Sequence, residues 1–298
     1  MNTDYPPSVE LRGAEPRDTK KIFVLLVALV ASTAAGIVIA VWFFFVPAAN
    51  RLDTDAAIDQ AVVCQAMISD HLARLRATAL DWANWDDLEN HARAPDASFR
   101  EENFTAEALR NLGLHGAALF NAEGQLVDYF MEDEAHFAEC TPQCIAEATA
   151  SLRERSVRSG EAEAAPVNFR NTVMLAGTAP VHGNDLAPPS SGQLVFLRLL
   201  TDGHFSLEAE KRGIRATLIP PAVTVISSGP RWHETWGHVV VTQALPGLDG
   251  DVAQIEVTRE AAHVNLAREA FFRTAFAAVV ISLVLVGLGH HALTGPRP

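Results

Sequence analysis

The longest run without a charged side chain, residues 22–46, constrains this sequence more than any other feature. An α-helix rises ~1.5 Å per residue, so ~20 apolar residues cross the hydrocarbon core of a bilayer. The run is longer than that, and we expect it to span a membrane. The small residues of VPAA, at 46–49, leave a cleaved signal peptide open as an alternative. A signal peptide has an apolar core of only ~7–15 residues, so the length favours an uncleaved anchor.

A second uncharged run, residues 274–293, has the Phe, Val, Ile and Leu density of another membrane helix. Basic residues then set the orientation, because positively charged flanks stay in the cytoplasm. Such residues cluster before the first run and are sparse after it: Arg12, Arg17, Lys20 and Lys21, then Arg51. We therefore expect residues 1–21 and the short tail 294–298 to be cytoplasmic. Residues 47–273 would form an extracytoplasmic domain. The two membrane helices would anchor this domain in the lipid bilayer of the inner membrane.

Residues 47–273 are long enough for one sizeable hydrophobic core and fall within the usual size of a single domain. The chain is acidic, with a formal net charge of −13, and has no basic patch that would indicate a nucleic-acid partner. It also lacks a G-x-S-x-G motif, a phosphate-binding glycine loop and a c-type haem pentapeptide. We therefore predict no enzyme activity, no catalytic residues and no cofactor.

The segment 53–88 contains no Gly or Pro and predicts one long helix at the start of the outer domain. Its apolar residues recur at alternating steps of three and four: Ile58, Ala61, Ile68, Leu72, Leu75, Ala79 and Trp82, with Gln65 filling one slot. Such a stripe packs either on the domain's own core or on the same helix of a second copy. The pattern leaves both open, and a homodimer is part of the prediction.

After residues 91–95 the pattern changes from helical to extended. Residues 117–130 predict a β-hairpin whose turn contains Asn121 and Gly124. Further strand-like runs, separated by Gly, Pro and Ser, lie at 172–181, 192–200, 223–228, 238–245 and 252–258. A helical pattern from Arg259 leads into the second membrane run. The predicted fold is therefore α/β: a long N-terminal helix and a mainly antiparallel sheet with helices on one face, between two transmembrane helices.

The segment RWHETWGH, at 231–238, combines two histidines with a glutamate, as a zinc protease helix does. Its histidines are five positions apart rather than four, and Gly237 lies between them, so they would not share a helical face. We interpret the segment as a loop and predict no metal site.

The stretch DWANWDD, at 81–87, places two tryptophans and three aspartates in seven positions. Tryptophan buries ~150–250 Å² and anchors a helix on its neighbours, so packing is one interpretation. Carboxylates beside the indoles would then cap loop amides or face an arginine. Direct contact with a ligand is the other interpretation, and the residues alone leave both open.

This stretch resembles the opening of the CHASE-type extracellular sensor domain of the fourth class. The D-W-x-x-W-D pattern and the positions that follow it are matched by Asp81, Trp82, Trp85, Asp86, Asn103 and Gly124. The block 175–200 is similar to the second half of that family, at Gly192, Leu194, Val195 and Arg198. The resemblance implies a PAS- or Cache-like domain that binds a small molecule. It assigns ligand binding or coupling to Asp81, Trp82, Trp85, Asp86 and Asn103.

In that family a kinase, diguanylate cyclase or phosphodiesterase module usually follows the second helix, whereas this sequence ends at Pro298. We expect the output module to be absent from this chain: either it has been lost or cut away, or the signal is passed to another protein in the membrane. The alternative function is of a different class: a non-catalytic envelope anchor whose outer domain binds another envelope protein.

Cys140 and Cys144, in CTPQC, would lie in an oxidising compartment and are close enough to be joined across a turn. We predict a disulfide between them. Cys64, on the long helix, is either a small buried apolar residue or an interchain disulfide partner in a dimer.

Overall fold

The computed structural model describes residues 16–131, 142–169, 172–184, 189–220, 231–235 and 237–294. The chain divides into two compact units. The α/β unit is Thr54–Glu260, and the helical unit combines the described residues of Met1–Asp53 and Ala261–Pro298.

The helical unit contains the two apolar runs. Its elements are α1 (Pro16–Ala40), a π-helical turn (Val41–Phe45), the first residues of α2 (Val46–Ala83), and α9 (Ala262–Thr294). Two stretches, Lys21–Ala83 and Ala262–Gly289, are long and apolar enough to cross a membrane, by length and composition. They include the predicted span 22–46 and most of the predicted span 274–293.

Within the helical unit, the side chain of Asp53 caps the first turn of α9. Its Oδ2 accepts the backbone N–H of Val264 at 2.9 Å, and its Oδ1 lies 2.6 Å from Nδ1 of His263. Asp53 is fully buried. A helix begins with unpaired N–H groups, so this carboxylate stabilises the start of α9 in the way an N-cap residue does.

The α/β unit is built from short helices and two antiparallel sheets. Its helices are α2 from Thr54 onward, α3 (Asp86–Arg93), α4 (Ala97–Asn103), α5 (Ala106–Asn111), α6 (Pro142–Ala148), α7 (Ala150–Ser159) and α8 (Asp202–Glu210). The first sheet contains β1 (Gly116–Asn121), β2 (Leu126–Met131), β3 (Glu163–Phe169), β4 (Thr172–Val181) and β5 (Gly192–Leu199). The second contains β6 (Ala216–Ile219), β7 (Arg231–Thr235), β8 (His238–Pro246) and β9 (Asp251–Glu260). Among the described strands the orders are β2-β1-β5-β4-β3 and β6-β9-β8-β7.

Helices cover both faces of the first sheet, so the expectation of helices on one face is wrong. Alternate residues of a strand point to opposite faces. On one face, Phe120 and Val195 belong to an apolar cluster with Ile145 of α6 and Leu152 of α7. On the other face, Phe196 packs against Trp82 of α2.

Gly177 of β4 allows α2 to lie close to the sheet. A Cβ at this position would lie 2.8 Å from Cγ of Leu75 and 3.0 Å from its carbonyl oxygen. The predicted apolar stripe of α2 faces this contact, since Ala61, Ile68, Leu75, Ala79 and Trp82 are all buried. Of the two readings of the stripe, packing on the domain's own core is confirmed.

The predicted single helix over 53–88 is wrong at its end. Helix α2 stops at Ala83, and Trp85 has extended backbone angles, φ −84° and ψ 131°. Helix α3 then begins with Asp86, Asp87 and Glu89 in its first turn. Negative side chains stabilise the positive end of a helix, so the acidic run favours a new start here over continuation.

Most of the predicted strands are confirmed, with local corrections. The hairpin turn forms as expected: Gly124 has φ +75°, and its N–H donates to the carbonyl of Asn121 at 2.9 Å. The runs at 172–181, 192–200, 238–245 and 252–258 form β4, β5, β8 and β9. The run at 223–228 lies outside the described residues.

Three further corrections concern what lies between these strands. Residues 231–235 of the predicted loop form β7, which pairs with β8 in the register Trp232 to Val241. After residues 91–95 the helices α4 and α5 precede the first strand, so the extended pattern starts later than predicted. Arg259 still belongs to β9, and α9 begins at Ala262.

Candidate functional site

The two tryptophans of the DWANWDD stretch stack on one another at the end of α2. Their ring centroids lie 4.6 Å apart, and Trp82 also meets the edge of Phe196 at 5.4 Å. Trp82 is 7% exposed, whereas Trp85 is 37% exposed. Trp82 therefore anchors α2 on the first sheet, and Trp85 covers it from the solvent side.

Asp86, the first residue of α3, holds the connection between β4 and β5. Asn184 donates its backbone N–H to Oδ1 and its side-chain N–H to Oδ2, each at 2.7 Å. The backbone hydrogen bond and then the side-chain hydrogen bond lower the pKa of this exposed carboxyl. Gly183 completes the contact: with φ +67°, it brings the chain so close that a Cβ would lie 2.9 Å from Oδ1 of Asp86.

A second set of hydrogen bonds from α3 reinforces the same connection. Ser191 donates its hydroxyl to Oε1 of Glu89 at 2.7 Å. Arg93 donates one N–H to the Ser191 hydroxyl at 3.0 Å and another to Oε1 of Glu89 at 2.6 Å. The backbone N–H of His182 donates to the carbonyl of Ala83 at 3.1 Å. The helix break between α2 and α3 is thus fastened to both ends of the β4–β5 connection.

The remaining predicted site residues lie outside this arrangement. Asp81 is exposed on the last turn of α2. Asn103 ends α4 and donates its side-chain N–H to the carbonyl of Phe99 at 3.1 Å, a hydrogen bond within its own helix. The structure therefore brings Trp82, Trp85 and Asp86 together and gives no such contact for the other two.

The cysteine predictions have different outcomes. Cys140 lies outside the described residues, so its pairing with Cys144 stays a prediction. Cys64 is fully buried in the α/β unit, as a small apolar residue would be. Burial raises the pKa of its thiol, with the charge of Arg212 acting in the opposite direction.

A cavity of about 410 Å³ lies between α2, the α5–β1 connection and β5. Its lining is His71, Arg74, Leu75, Ala77, Thr78, Leu112, Leu114 and Arg198. The volume lies in the ~300–1,000 Å³ range of small-molecule sites. Sequence analysis did not find this cavity, although Arg198 is one of the residues that carry the family resemblance.

Hydrogen bonds at the cavity wall hold the ring of His71 in place. Arg198 lies 3.2 Å from Nδ1, and Oε2 of Glu208 lies 2.7 Å from Nε2. A guanidinium can only donate, so Nδ1 is the ring nitrogen that faces a donor, and Nε2 is the one that faces a carboxylate. His71 therefore links Arg198 to Glu208.

Glu208 of α8 is the negatively charged end of this series of hydrogen bonds. Its burial raises the pKa of the carboxyl, but the hydrogen bond and the charge of His71, followed by the charges of Arg198 and Arg212, outweigh burial. The pKa is lowered as a result, and the carboxylate stays ionised. Since His71 lies between Glu208 and Arg198, the carboxylate does not occupy the cavity itself.

The other face of the first sheet carries a cation over an aromatic ring. The guanidinium of Arg153 lies 3.9 Å from the centre of the Phe120 ring and donates to the carbonyl of Ala146 at 3.0 Å. Burial lowers the pKa of Arg153. Apolar side chains of the described residues cluster on this face, and the buried Nε of Arg153 has no hydrogen-bond partner among the described residues.

The fold belongs to the α/β class, and its first sheet is PAS- or Cache-like, with the strand order β2-β1-β5-β4-β3. Residues 67–208, just under half of the chain, match the family model of the CHASE4 domain. The match confirms the resemblance predicted from the DWANWDD stretch. The part of this chain from residue 67 to residue 208 is therefore similar to the CHASE4 domain.

Solved structures show similarity at low sequence identity. The periplasmic domain of Vibrio cholerae LuxQ is 15% identical, covering 68% of this chain and 98% of that one, with a TM-score of 0.47. The ligand-binding domain of the Campylobacter jejuni chemoreceptor Tlp3, solved with L-valine, is 10% identical, covering 75% and 98%, with a TM-score of 0.45. The Pseudomonas aeruginosa amino acid chemoreceptor PctC, solved with GABA, is 13% identical, covering 69% and 97%, with a TM-score of 0.40. Comparison with curated proteins gives no match.

Proposed function

We propose that this protein is a membrane-anchored extracytoplasmic sensor of the inner membrane. A small molecule binds the CHASE4 domain, and its binding moves the membrane helices. The match to the CHASE4 family and the two stretches capable of crossing a membrane, one on each side of the α/β unit, support this proposal. The family is a class of sensory domains, which agrees with a role without catalysis.

The main observation behind the proposal is that α2 both follows the first apolar run and lines the cavity. This helix follows the first apolar run, and His71, Arg74, Leu75, Ala77 and Thr78 on it line the cavity. A ligand can shift a conformational equilibrium only through different affinities for the two states. A cavity with one wall on α2 supplies such a difference if the helix has two packings on the sheet.

The cluster of Trp82, Trp85 and Asp86 would couple the end of α2 to the sheet. Trp82 and Trp85 fix the helix end on β5, and Asp86 fixes the β4–β5 connection. A shift of α2 along the sheet would therefore strain these contacts. We assign coupling to them rather than ligand contact, because the cavity is lined by other residues.

The proposal includes a homodimer. Val62, Val63 and Leu80 are exposed large apolar residues of α2, outside its buried stripe. They offer a contact to the same helix of a second copy.

Thermal unfolding of the full chain in lipid nanodiscs, screened against small metabolites, tests the proposal. A ligand present at ~100 times its dissociation constant stabilises the folded state by ~2.7 kcal/mol, which is readily seen as a higher Tm. We expect at least one small molecule to give such a shift. Stabilisation by an envelope protein and by no small molecule would contradict the proposal and support the anchor alternative.

A further inference from the structure

We propose that the cavity between α2 and β5 binds a small organic carboxylate, with Arg74 and Arg198 as its charged contacts. This inference rests on the proposed function and names the ligand class of the sensor.

The charge of the cavity is the first argument. The chain carries a net charge of −13, yet the lining contains two guanidinium groups and no carboxylate. In the part of the chain that the structure describes, Arg74 makes no ion pair, and Arg198 donates to the ring of His71. Guanidinium groups bind carboxylates through two parallel hydrogen bonds, a stronger contact than a neutral acceptor gives.

Glu208 and His71 position Arg198 from one side. The carboxylate of Glu208 lies 2.7 Å from Nε2 of His71. Arg198 can only donate, so it donates to Nδ1 of His71, and this contact fixes one side of the guanidinium. The remaining N–H groups of Arg198 stay available to a ligand, and an anion meets no carboxylate in the lining.

The apolar part of the lining favours an organic acid over an inorganic anion. Leu75 and Leu114 are buried, while Leu112 is 39% exposed at the cavity. Carbon atoms of a ligand would cover Leu112 and remove its apolar surface from water. A sulfate or phosphate ion would leave this wall exposed.

The two arginines come from different layers of the fold. Arg74 is on α2 and Arg198 is on β5, and both line the cavity. A carboxylate that binds both would hold α2 against the sheet at a fixed distance. The ligand would thus act directly on the helix that the proposed function requires to move.

Isothermal titration of the full chain in nanodiscs tests the inference. The probes are straight-chain mono- and dicarboxylates from acetate to adipate, with inorganic phosphate and the neutral diamide of succinate as comparisons. We expect at least one carboxylate to bind and the diamide and phosphate not to bind. Each of Arg74→Gln and Arg198→Gln is expected to weaken that binding by ~10- to 100-fold, the usual range for a hydrogen bond to a charged group.

A matched control comes from the same helix. Arg76 lies two positions beyond Arg74, pairs with Glu161 at 3.2 Å and is half exposed. Arg76→Gln removes the same charge from α2 away from the cavity, and binding should change by less than ~2-fold because exposed ion pairs contribute little. Circular dichroism melting shows whether each variant is folded. Arg74 is exposed, so Arg74→Gln should disturb the fold less than Arg198→Gln does.

Three results would overturn the inference: no carboxylate in the series binds, phosphate binds in preference to all of them, or binding survives both arginine variants. If a neutral or cationic metabolite stabilises the chain and Arg198→Gln leaves its effect intact, the sensor proposal stands and the carboxylate inference fails. If no small molecule stabilises the chain, both fail.

Discussion

Asp86 holds Asn184 by both of its carboxylate oxygens, one bonded to the backbone N–H and the other to the side-chain N–H. The two residues are 98 positions apart in sequence. Their contact joins the start of α3 to the loop after β4. It also lowers the pKa of Asp86, although the carboxyl is exposed.

The first prediction concerns this pKa. Asn184→Ala should raise the pKa of Asp86 toward its ordinary value, because both hydrogen bonds to the ionised form weaken or vanish. Carbon-detected NMR titration of the Asp86 carboxyl measures this pKa in the original chain and in the variant. The backbone N–H of residue 184 survives in the variant, so a partial return is expected.

The sign of the stability effect follows from the direction of the shift. A lowered pKa in the folded state stabilises the fold at pH values above the ordinary pKa of aspartate, about 3.9. That contribution is lost as the pH falls through the lowered pKa. The Tm difference between the original chain and Asn184→Ala should therefore shrink on acidification, and a pH-independent difference would show that the carboxylate charge is not involved.

The second prediction concerns the close approach of α2 to β4. Gly177→Ala places a methyl group 2.8 Å from the Leu75 side chain and 3.0 Å from its carbonyl oxygen, so the helix must shift. We expect a loss of ~1–3 kcal/mol in the free energy of unfolding. Gly203→Ala is the control: a Cβ there meets nothing within 4 Å. It lies in α8 and should stabilise by up to ~1 kcal/mol. Equal effects of the two would contradict the packing described for Gly177.

The third prediction separates coupling from packing. Trp85→Ala removes a stacked ring that is 37% exposed and should lower stability by only ~0.5–1.5 kcal/mol. Ligand affinity should stay within a few-fold, while the ligand-induced change in the membrane helices is lost. Tyr129→Ala, an equally exposed aromatic on β2 at 36%, should leave that change intact. The ligand-induced change is measured as a spin-label distance between α1 and α9, with and without ligand. An unchanged distance response in Trp85→Ala would contradict the coupling role.

The fourth prediction concerns the start of α9. Asp53→Ala removes the acceptor for Val264 N–H and for Nδ1 of His263. We expect faster amide hydrogen exchange at Val264 and a loss of ~0.5–2 kcal/mol, the usual effect of deleting a helix cap. Asp55→Ala, at an exposed position of α2, should change neither. Unaltered exchange at Val264 would mean that the cap does not stabilise this helix.

The sequence predicted elements whose signals are local. Strands β4 and β5 are apolar runs bounded by turn residues, and the β1–β2 hairpin has Gly124 where a positive φ is required. The break before Asp86 was missed because no Gly or Pro marks it; contacts with Asn184 and Phe196 favour it. Strand β7 was missed because its pairing with β8 defines it.

The candidate site was less predictable than the fold. The DWANWDD stretch was found because two tryptophans and three aspartates lie together in sequence, and the structure packs Trp82 and Trp85 against each other there. The cavity depends on His71 and Arg198, which are 127 positions apart. No local spacing rule joins two such residues, so only the folded chain brings the arginines, His71 and Glu208 together.

The most direct test of the sensor account is hydrogen exchange of the full chain in nanodiscs, with and without the small molecule that stabilises it most. The account predicts slower exchange around the cavity, in α2 near Leu75 and in β5, together with altered exchange in the first turns of α9 next to the membrane. Slower exchange confined to the cavity, with α9 unchanged, would show a binding domain that does not signal to the membrane helices.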